Sequence, residues 1–171
     1  MPRVSLLVLC ISALALLSLR PASTKSSYYL LIDKSDHTVR LYDAVDWLVE
    51  WPCTFGSKDL SDKLYQGDRR TPEGRFKIKS MYPHNKWNKF LRIDYPTKAD
   101  YDKFQQRKAA GMIPAHAKIG GDIGIHGTWP REDWAVDLMQ PWTLGCISLK
   151  NEDLNELYSL VGVGTPVVIR Y

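Results

Sequence analysis

His126 and Cys146 lie twenty residues apart in the sequence, and each adjoins a short apolar run typical of a strand. His126 follows residues 123–125, and Cys146 precedes residues 147–149. If the two runs pair in one sheet, they bring the imidazole and the thiol together. A thiol attacks a carbonyl only as its thiolate, and its ordinary pKa of about 8.5 keeps it protonated near neutral pH. A neighbouring histidine can remove that proton, so the pair predicts nucleophilic catalysis by cysteine.

The residues that flank this pair suit the same chemistry. The carbonyl of Gly127 or the hydroxyl of Thr128 can orient the second ring nitrogen of the histidine. Gly145 allows a substrate to approach the backbone closely, and its amide and that of Cys146 are candidate donors to an oxyanion. Thr143, at the start of the same turn, is a further candidate. One such donor contributes about 2.7–4 kcal/mol in other enzymes.

Three other interpretations of these residues stay open on the sequence alone. Either side chain can be a buried structural residue, because single histidines and cysteines beside strands are common in protein cores. An exported chain can join Cys53 to Cys146 in a disulfide. A zinc site could use His84, His116, His126 and Cys146, although the sequence lacks the close ligand pairs that are typical of zinc.

The rest of the chain supplies short strands and two helices to hold the pair. Alternating or β-branched runs predict strands at residues 27–33, 38–43, 48–55, 75–81, 90–95 and 166–170. Helices are predicted at residues 98–110, with Thr97 as N-cap, and at residues 152–161, with Asn151 as N-cap. Polar residues 56–70 and 82–89 are typical of surface loops. This balance predicts a mainly β fold with a closed or sandwiched sheet.

Length and charge exclude some classes of protein. A chain of 171 residues fits one domain with a real core, and its 44% hydrophobic and 25% charged residues are ordinary for a globular protein. The net charge is +4, of which two charges come from arginines in residues 1–24. The remaining lysines and arginines are scattered among acids rather than collected on one stretch. We therefore expect no nucleic-acid partner.

The first 24 residues are typical of a targeting segment. Arg3 precedes an apolar run at residues 4–18, and small and turn-forming residues follow. The run is shorter than the roughly 20 apolar residues that a membrane span requires. We interpret residues 1–24 as a signal peptide or an uncleaved N-terminal anchor, and residues 25–171 as the catalytic domain. The protein is then exported to the periplasm or cell envelope, and only an uncleaved leader would attach it to a membrane.

The residues around the pair resemble those of the L,D-transpeptidase catalytic-domain family of bacterial cell-wall enzymes. The resemblance covers residues 28–169, nearly the whole exported domain. A histidine followed by glycine, and later a serine or threonine two residues before Gly-Cys, is a fairly specific combination. The matching stretches are residues 71–76 (TPEGRF), 91–96 (LRIDYP), 120–123 (GGDI), 125–128 (IHGT), 143–147 (TLGCI), Leu149 and residues 151–153 (NED).

The resemblance implies a mainly β fold in which Cys146 is the nucleophile and His126 its base. The expected donor is a peptidoglycan tetrapeptide stem, which the thiol attacks at the carbonyl of the third residue, a diamino acid, with release of the terminal D-Ala. The thioester then passes to an amine of a neighbouring stem, to a lysine of an envelope protein or to water. Family members need no metal or organic cofactor, and penems acylate their cysteine.

Two positions depart from the family pattern. Many members have arginine where this chain has Ser148, and histidine or lysine where it has Leu144. Because that arginine belongs to the polar framework of the site, Arg92 or Lys86 could replace it here. We expect the loop at residues 129–142 to form a wall of the substrate cleft, although it could also be a solvated surface loop. The predicted substrate contacts are Lys86, Trp87, Arg92, Trp129, Trp142 and Ser148.

The sequence leaves several functions open. The leading hypothesis is an L,D-transpeptidase that builds or remodels crosslinks in the cell wall. A purely hydrolytic enzyme, either a carboxypeptidase or an amidase that releases a wall-linked protein, would use the same residues. A module that binds the wall without catalysis is the third possibility.

Overall fold

The computed structural model describes residues 28–171, so the predicted leader at residues 1–24 lies outside the described part. The strands are β1 (Tyr29–Asp33), β2 (Thr38–Tyr42), β3 (Trp47–Pro52), β4 (Gly74–His84), β5 (Asn88–Ile93), β6 (Gly124–Gly127), β7 (Ile147–Leu149) and β8 (Pro166–Arg170). The helices are α1 (Lys98–Ala109), α2 (Trp134–Asp137) and α3 (Asn151–Leu160). Among these helices, none is long and apolar enough to cross a membrane.

The strands form one mixed sheet in the order β3-β2-β1-β8-β4-β5-β6-β7. The pairs β1–β8 and β6–β7 are parallel, and the other neighbouring pairs are antiparallel. The long β4 pairs with β8 through its first residues and with β5 through the rest, and its register shifts between Ile78 and Ser80. Because an irregularity of this kind bends a strand, β4 is where the sheet turns from one half to the other.

The two outer edges of the sheet meet at a single point. Thr54, just after β3, exchanges two backbone hydrogen bonds of 2.9 Å with Ser148 in β7. One bridge is not a continuous ladder, so the sheet is not a closed barrel and the closed form of the predicted fold is wrong. The mainly β fold with a mixed sheet is confirmed. The bridge ties the segment after β3 to the strand that follows Cys146.

The buried faces of the strands share one core. In β2, Val39 and Leu41 are buried and alternate with more exposed residues, as expected for a strand with one face covered. Leu154 and Leu157 of α3 are fully buried in the same core. Each such side chain stabilises the fold by about 1.5–3 kcal/mol relative to its exposed state. The core therefore fixes the sheet that carries the candidate site.

Both predicted helices form close to their predicted bounds, but one of the two predicted N-caps is wrong and α2 is not predicted. Thr97 and Asp100 form a capping box at the start of α1, as its sequence predicts. The prediction of Asn151 as an N-cap is wrong: Lys150 occupies that position, Asn151 is the first helical residue, and its side chain donates to Thr128. The sequence does not predict α2, because four residues are too few to show helical periodicity.

The predicted loop at residues 82–89 is instead a tight hairpin. β4 continues to His84 and β5 begins at Asn88, so only residues 85–87 form the connection. Asn88 has a positive φ of 61°, a conformation that asparagine tolerates better than most residues. The hairpin carries Trp87 to a position beside His126.

Candidate active site

β6 and β7 lie side by side, so the two strands that flank the predicted pair do meet. Their parallel register aligns Ile125 with Ile147 and His126 with Ser148. Both isoleucines are fully buried in the core. Because side chains alternate along a strand, His126 and Ser148 project from the opposite face, and Cys146, two residues before Ser148, follows the same alternation. The topology thus directs the imidazole and the thiol to one face of the sheet.

The ring of His126 is buried and oriented by one hydrogen bond. Its Nδ1 lies 2.8 Å from the carbonyl oxygen of Gly127. A carbonyl oxygen only accepts, so Nδ1 carries the hydrogen and Nε2 keeps a free lone pair. The ring lies against Trp87, Phe90 and Trp142, with centroid distances of 4.6, 5.7 and 5.3 Å. This arrangement makes Nε2 a base that is ready to accept a proton.

Burial keeps this base neutral. Loss of solvent lowers the pKa of His126 from its ordinary value of 6.5 to about 4, the hydrogen bond to Gly127 opposes the shift, and His84 adds to it. At neutral pH the imidazole is therefore unprotonated. A neutral imidazole suits a general base, because it needs no prior loss of a proton.

The same shift predicts a loss of stability in acid. The unfolded chain binds a proton at His126 near pH 6.5, and the folded chain only near pH 4. The free energy of unfolding should therefore fall by about 3 kcal/mol as the pH drops from 7 to 4, at about 1.36 kcal/mol per pKa unit. Urea denaturation at several pH values should show this fall in the unaltered protein, and a shallower one in His126→Gln. Equal slopes in the two proteins would contradict the assignment.

A hydrogen-bond network holds the turn that orients His126. The Gly127 amide donates to the carbonyl of Trp87 at 3.1 Å. Thr128 donates its hydroxyl to Asp133, and the Asn151 side chain donates to the Thr128 hydroxyl at 2.8 Å. Asp133 also accepts from the Asn151 amide at 3.1 Å. Of the two acceptors predicted for the second ring nitrogen of His126, the Gly127 carbonyl accepts the hydrogen bond. Thr128 instead joins the segment after β6 to α3.

Cys146 is a half-buried, free thiol at the start of β7. Its Sγ lies 3.5 Å from the carbonyl oxygen of Asp122. Burial raises its pKa from 9.0 to about 11, although a hydrogen bond from the Gly124 amide and the charge of Lys63 act in the opposite direction. Asp122 adds to the increase. The thiol is therefore protonated at neutral pH and needs a base to become a nucleophile.

The turn before Cys146 is fixed by the hydroxyls of two threonines. Thr143 accepts from the Gly145 amide at 3.2 Å and donates to the Cys146 carbonyl at 2.8 Å. Thr71 donates to the Gly145 carbonyl at 3.0 Å. Gly145 has a φ of +128°, and a side chain here would bring Cβ within 2.8 Å of the Arg70 carbonyl. Since the Gly145 amide is already engaged, the Cys146 amide is the better of the two predicted oxyanion donors.

A buried lysine lies behind this turn. Lys63 is only 5% exposed, and its Nζ forms a 2.6 Å ion pair with Asp68. The ammonium is also 3.6 Å from where a Cβ of Gly145 would lie. The sequence predicts a surface loop at residues 56–70, so this buried contact is not predicted. The Gly-Asp pair before Arg69 was the available signal, because aspartate in such turns binds backbone amides.

The predicted substrate contacts surround the pair. Trp129 lies edge-on to Trp87 with centroids 6.4 Å apart, and the Lys86 ammonium lies 5.7 Å above the Trp129 ring. Arg92 pairs with Asp122 at 2.5 Å, next to the carbonyl that contacts Cys146. Together with Trp87 and Trp142, these side chains form an aromatic and basic surface around His126 and Cys146. Ser148, by contrast, is fully buried.

The alternatives for the histidines and cysteines also have a structural outcome. Cys53 and Cys146 are both free thiols, and Cys53 is fully buried in the core, which raises its pKa. Within residues 28–171, no group of three or more His, Cys, Asp or Glu side chains could hold a metal ion. The disulfide and the zinc site are therefore not formed in this structure.

The chain matches a family model and several solved structures. The YkuD family model, described as an L,D-transpeptidase catalytic domain, matches residues 27–169. No curated protein sequence matches the chain. Similar solved structures include Bd1075 of Bdellovibrio bacteriovorus (TM-score 0.61, 17% identity, covering 85% of this chain and 47% of that one). An L,D-transpeptidase from Mycobacterium smegmatis is also similar (0.55, 15%, 85% and 59%).

A third similar structure is L,D-transpeptidase 3 of Mycobacterium tuberculosis with a faropenem-derived adduct (TM-score 0.55, 15% identity, covering 85% of this chain and 61% of that one). Identities this low show the fold alone. The chain spans between 47% and 61% of the length of these three proteins.

Proposed function

Because the chain belongs to the YkuD family of L,D-transpeptidase catalytic domains, we propose that it transfers acyl groups of peptidoglycan stem peptides through a thioester on Cys146. The observation that carries this proposal is the neutral, oriented imidazole of His126 on β6, beside the strand β7 that directly follows Cys146. The substrate is found in the cell wall, so we also propose that the protein acts in the envelope. Residues 1–24 would then direct its export.

The first half of the proposed reaction forms the thioester. His126 Nε2 takes the proton of Cys146 as Sγ attacks the carbonyl of the third stem residue. The resulting oxyanion accepts a hydrogen bond from the Cys146 amide. The C–N bond to the terminal residue then breaks, and His126 returns the proton to the departing amine. One S–C bond forms, one C–N bond breaks, and the histidine ends neutral.

The second half transfers the acyl group. An acceptor amine attacks the thioester carbonyl while His126 removes its excess proton, and the C–S bond breaks. The proton then passes to the sulfur, which restores the thiol. The acceptor can be an amine of a second stem or a lysine of an envelope protein. No metal or organic cofactor enters either half.

The two shifted pKa values determine when the proton moves. A thiol with a pKa of about 11 and an imidazole with a pKa of about 4 rest as a neutral pair rather than as an ion pair. We therefore propose that proton transfer accompanies the attack of sulfur on the carbonyl. The same burial that disfavours the resting thiolate strengthens the hydrogen bonds to the developing oxyanion. This supports general-base catalysis over a thiolate formed in advance.

Incubation of the exported form of the protein with tetrapeptide muropeptides tests the proposal. Mass spectrometry should detect an acyl-enzyme on Cys146, release of D-Ala and crosslinked dimers. A tripeptide product without dimers would indicate hydrolysis instead. Faropenem provides an independent test: we expect it to add to Cys146, because the similar L,D-transpeptidase 3 of Mycobacterium tuberculosis is found with a faropenem-derived adduct. No change in either substrate or protein mass would favour a non-catalytic wall-binding module.

A further inference from the structure

The loop at residues 63–70 places Arg69 next to the turn that contains Cys146. Asp68 organises this loop: its carboxylate binds the Lys63 ammonium and accepts the backbone amides of Leu64, Tyr65 and Arg70. Four partners fix both sides of the position between Asp68 and Arg70. The residue at that position is Arg69, which is exposed.

The backbone of Arg69 has a conformation that is uncommon for arginine. Its φ is +60°, in the left-handed region that favours glycine and asparagine. Such a conformation persists where the surrounding structure holds it, and here Asp68 does so from both sides. The arginine side chain is therefore presented from a rigid loop, so less conformational freedom is lost when it binds a ligand.

Arg69 packs directly against the nucleophile turn. Its Nε donates to the carbonyl of Thr143 at 3.2 Å. A Cβ placed on Gly56 would be 2.5 Å from the Arg69 carbonyl, 2.6 Å from the Thr143 carbonyl and 2.8 Å from the Gly145 nitrogen. These three atoms thus surround one small space. Along the turn, only Leu144 and Gly145 separate Thr143 from Cys146.

The charge of Arg69 has no acidic partner within residues 28–171. Among the seven other arginines in this part of the chain, Arg75 and Arg131 also form no ion pair. The other five each pair with a carboxylate: Arg40, Arg70, Arg92, Arg107 and Arg170. With Nε engaged by Thr143, the two terminal nitrogens of Arg69 remain available. A guanidinium offers paired donors that match the two oxygens of a carboxylate.

We propose that Arg69 binds a carboxylate of the donor stem peptide and so selects donors that carry a free carboxylate next to the scissile bond. This inference rests on the proposed function, because it identifies the ligand of the same site. Two groups of a stem present this chemistry: the terminal carboxylate of the departing residue and the side-chain carboxylate of a third-residue diamino acid. Both lie within one residue of the carbonyl that Cys146 would attack.

Arg69→Asn is the sharpest test, because asparagine tolerates a positive φ and removes the charge. The matched control is Arg75→Asn: Arg75 lies in β4, is also exposed and also lacks an acidic partner within residues 28–171. Steady-state rates would be measured with three tetrapeptide donors: the free acid, one amidated at the terminus and one amidated on the third side chain.

The unaltered protein should prefer the free acid over one of the two amidated donors by about 10–100-fold in kcat/KM, as expected for a charged hydrogen bond. The amide that is disfavoured identifies the carboxylate. Arg69→Asn should remove this preference, mainly through KM, while iodoacetamide still labels Cys146 at an unchanged rate. Arg75→Asn should keep the preference.

A preference that survives in Arg69→Asn, or that falls equally in Arg75→Asn, would overturn this inference and leave the proposed function intact. Absence of turnover by the unaltered protein with every donor would overturn the proposed function, and this inference with it.

Discussion

Replacement of Cys146 by alanine should abolish acyl transfer to every acceptor, including water. The proposed reaction passes through a thioester on Sγ, and no other thiol in residues 28–171 can substitute, because Cys53 is fully buried and its pKa is raised by burial. Loss of a nucleophile of this kind lowers turnover by roughly 10⁴-fold or more. Release of D-Ala from tetrapeptide muropeptides and the mass of a faropenem adduct are the two measurements. Both signals should vanish.

Cys53→Ala is the matched control for this experiment. It removes the other thiol of the described domain but leaves the turn at Cys146 unchanged, so turnover and adduct formation should persist. It should also lower stability slightly, because a buried side chain is shortened. If Cys146→Ala retained D-Ala release, the thioester would be ruled out. If Cys53→Ala also lost the faropenem adduct, the assignment of the adduct to Cys146 would fall.

Local signals in the sequence predicted the parts of the site that depend on local structure. The apolar runs beside His126 and Cys146 are strands because alternation and branched side chains favour an extended backbone, and the structure pairs them. The capping box of α1 has the same origin, since Thr97 and Asp100 are three residues apart. Such features need no knowledge of the distant chain.

Features that depend on distant contacts cannot be predicted from the local sequence. Asparagine is a preferred N-cap residue, so the sequence predicts Asn151 as the cap of α3. In the structure its side chain instead donates to the Thr128 hydroxyl, and this tertiary contact overrides the local preference. The polar residues 63–70 are typical of a loop, yet Lys63 is buried because Asp68 and the turn at Gly145 enclose it. Nothing in the local sequence reveals that enclosure. The packing of residues 63–70 behind the turn that contains Cys146 is therefore evident only from the structure.

Gly56 packs between the loop at residues 63–70 and the turn that contains Cys146, and its replacement should strongly disturb both the fold and the site. It has no side chain, and this lets three backbone atoms converge on it: the carbonyls of Arg69 and Thr143 and the nitrogen of Gly145, at 2.5, 2.6 and 2.8 Å from an added Cβ. Backbone atoms cannot rotate away as the end of a flexible side chain can. Gly56→Ala must therefore push the loop at residues 63–70 away from the turn that contains Cys146.

Two quantities should fall together in Gly56→Ala. The free energy of unfolding in urea should decrease by about 3 kcal/mol, the upper range for overpacking of a tight core. The rate of faropenem acylation of the folded protein should fall by about 10²-fold, because a displacement near 1 Å has that effect on a reacting group. Gly162→Ala is the control, since an added Cβ there meets nothing within 4 Å. If Gly56→Ala matched Gly162→Ala in both measurements, the close packing of the loop against the turn that contains Cys146 would be refuted. The rigid placement of Arg69 beside Thr143 would be refuted with it.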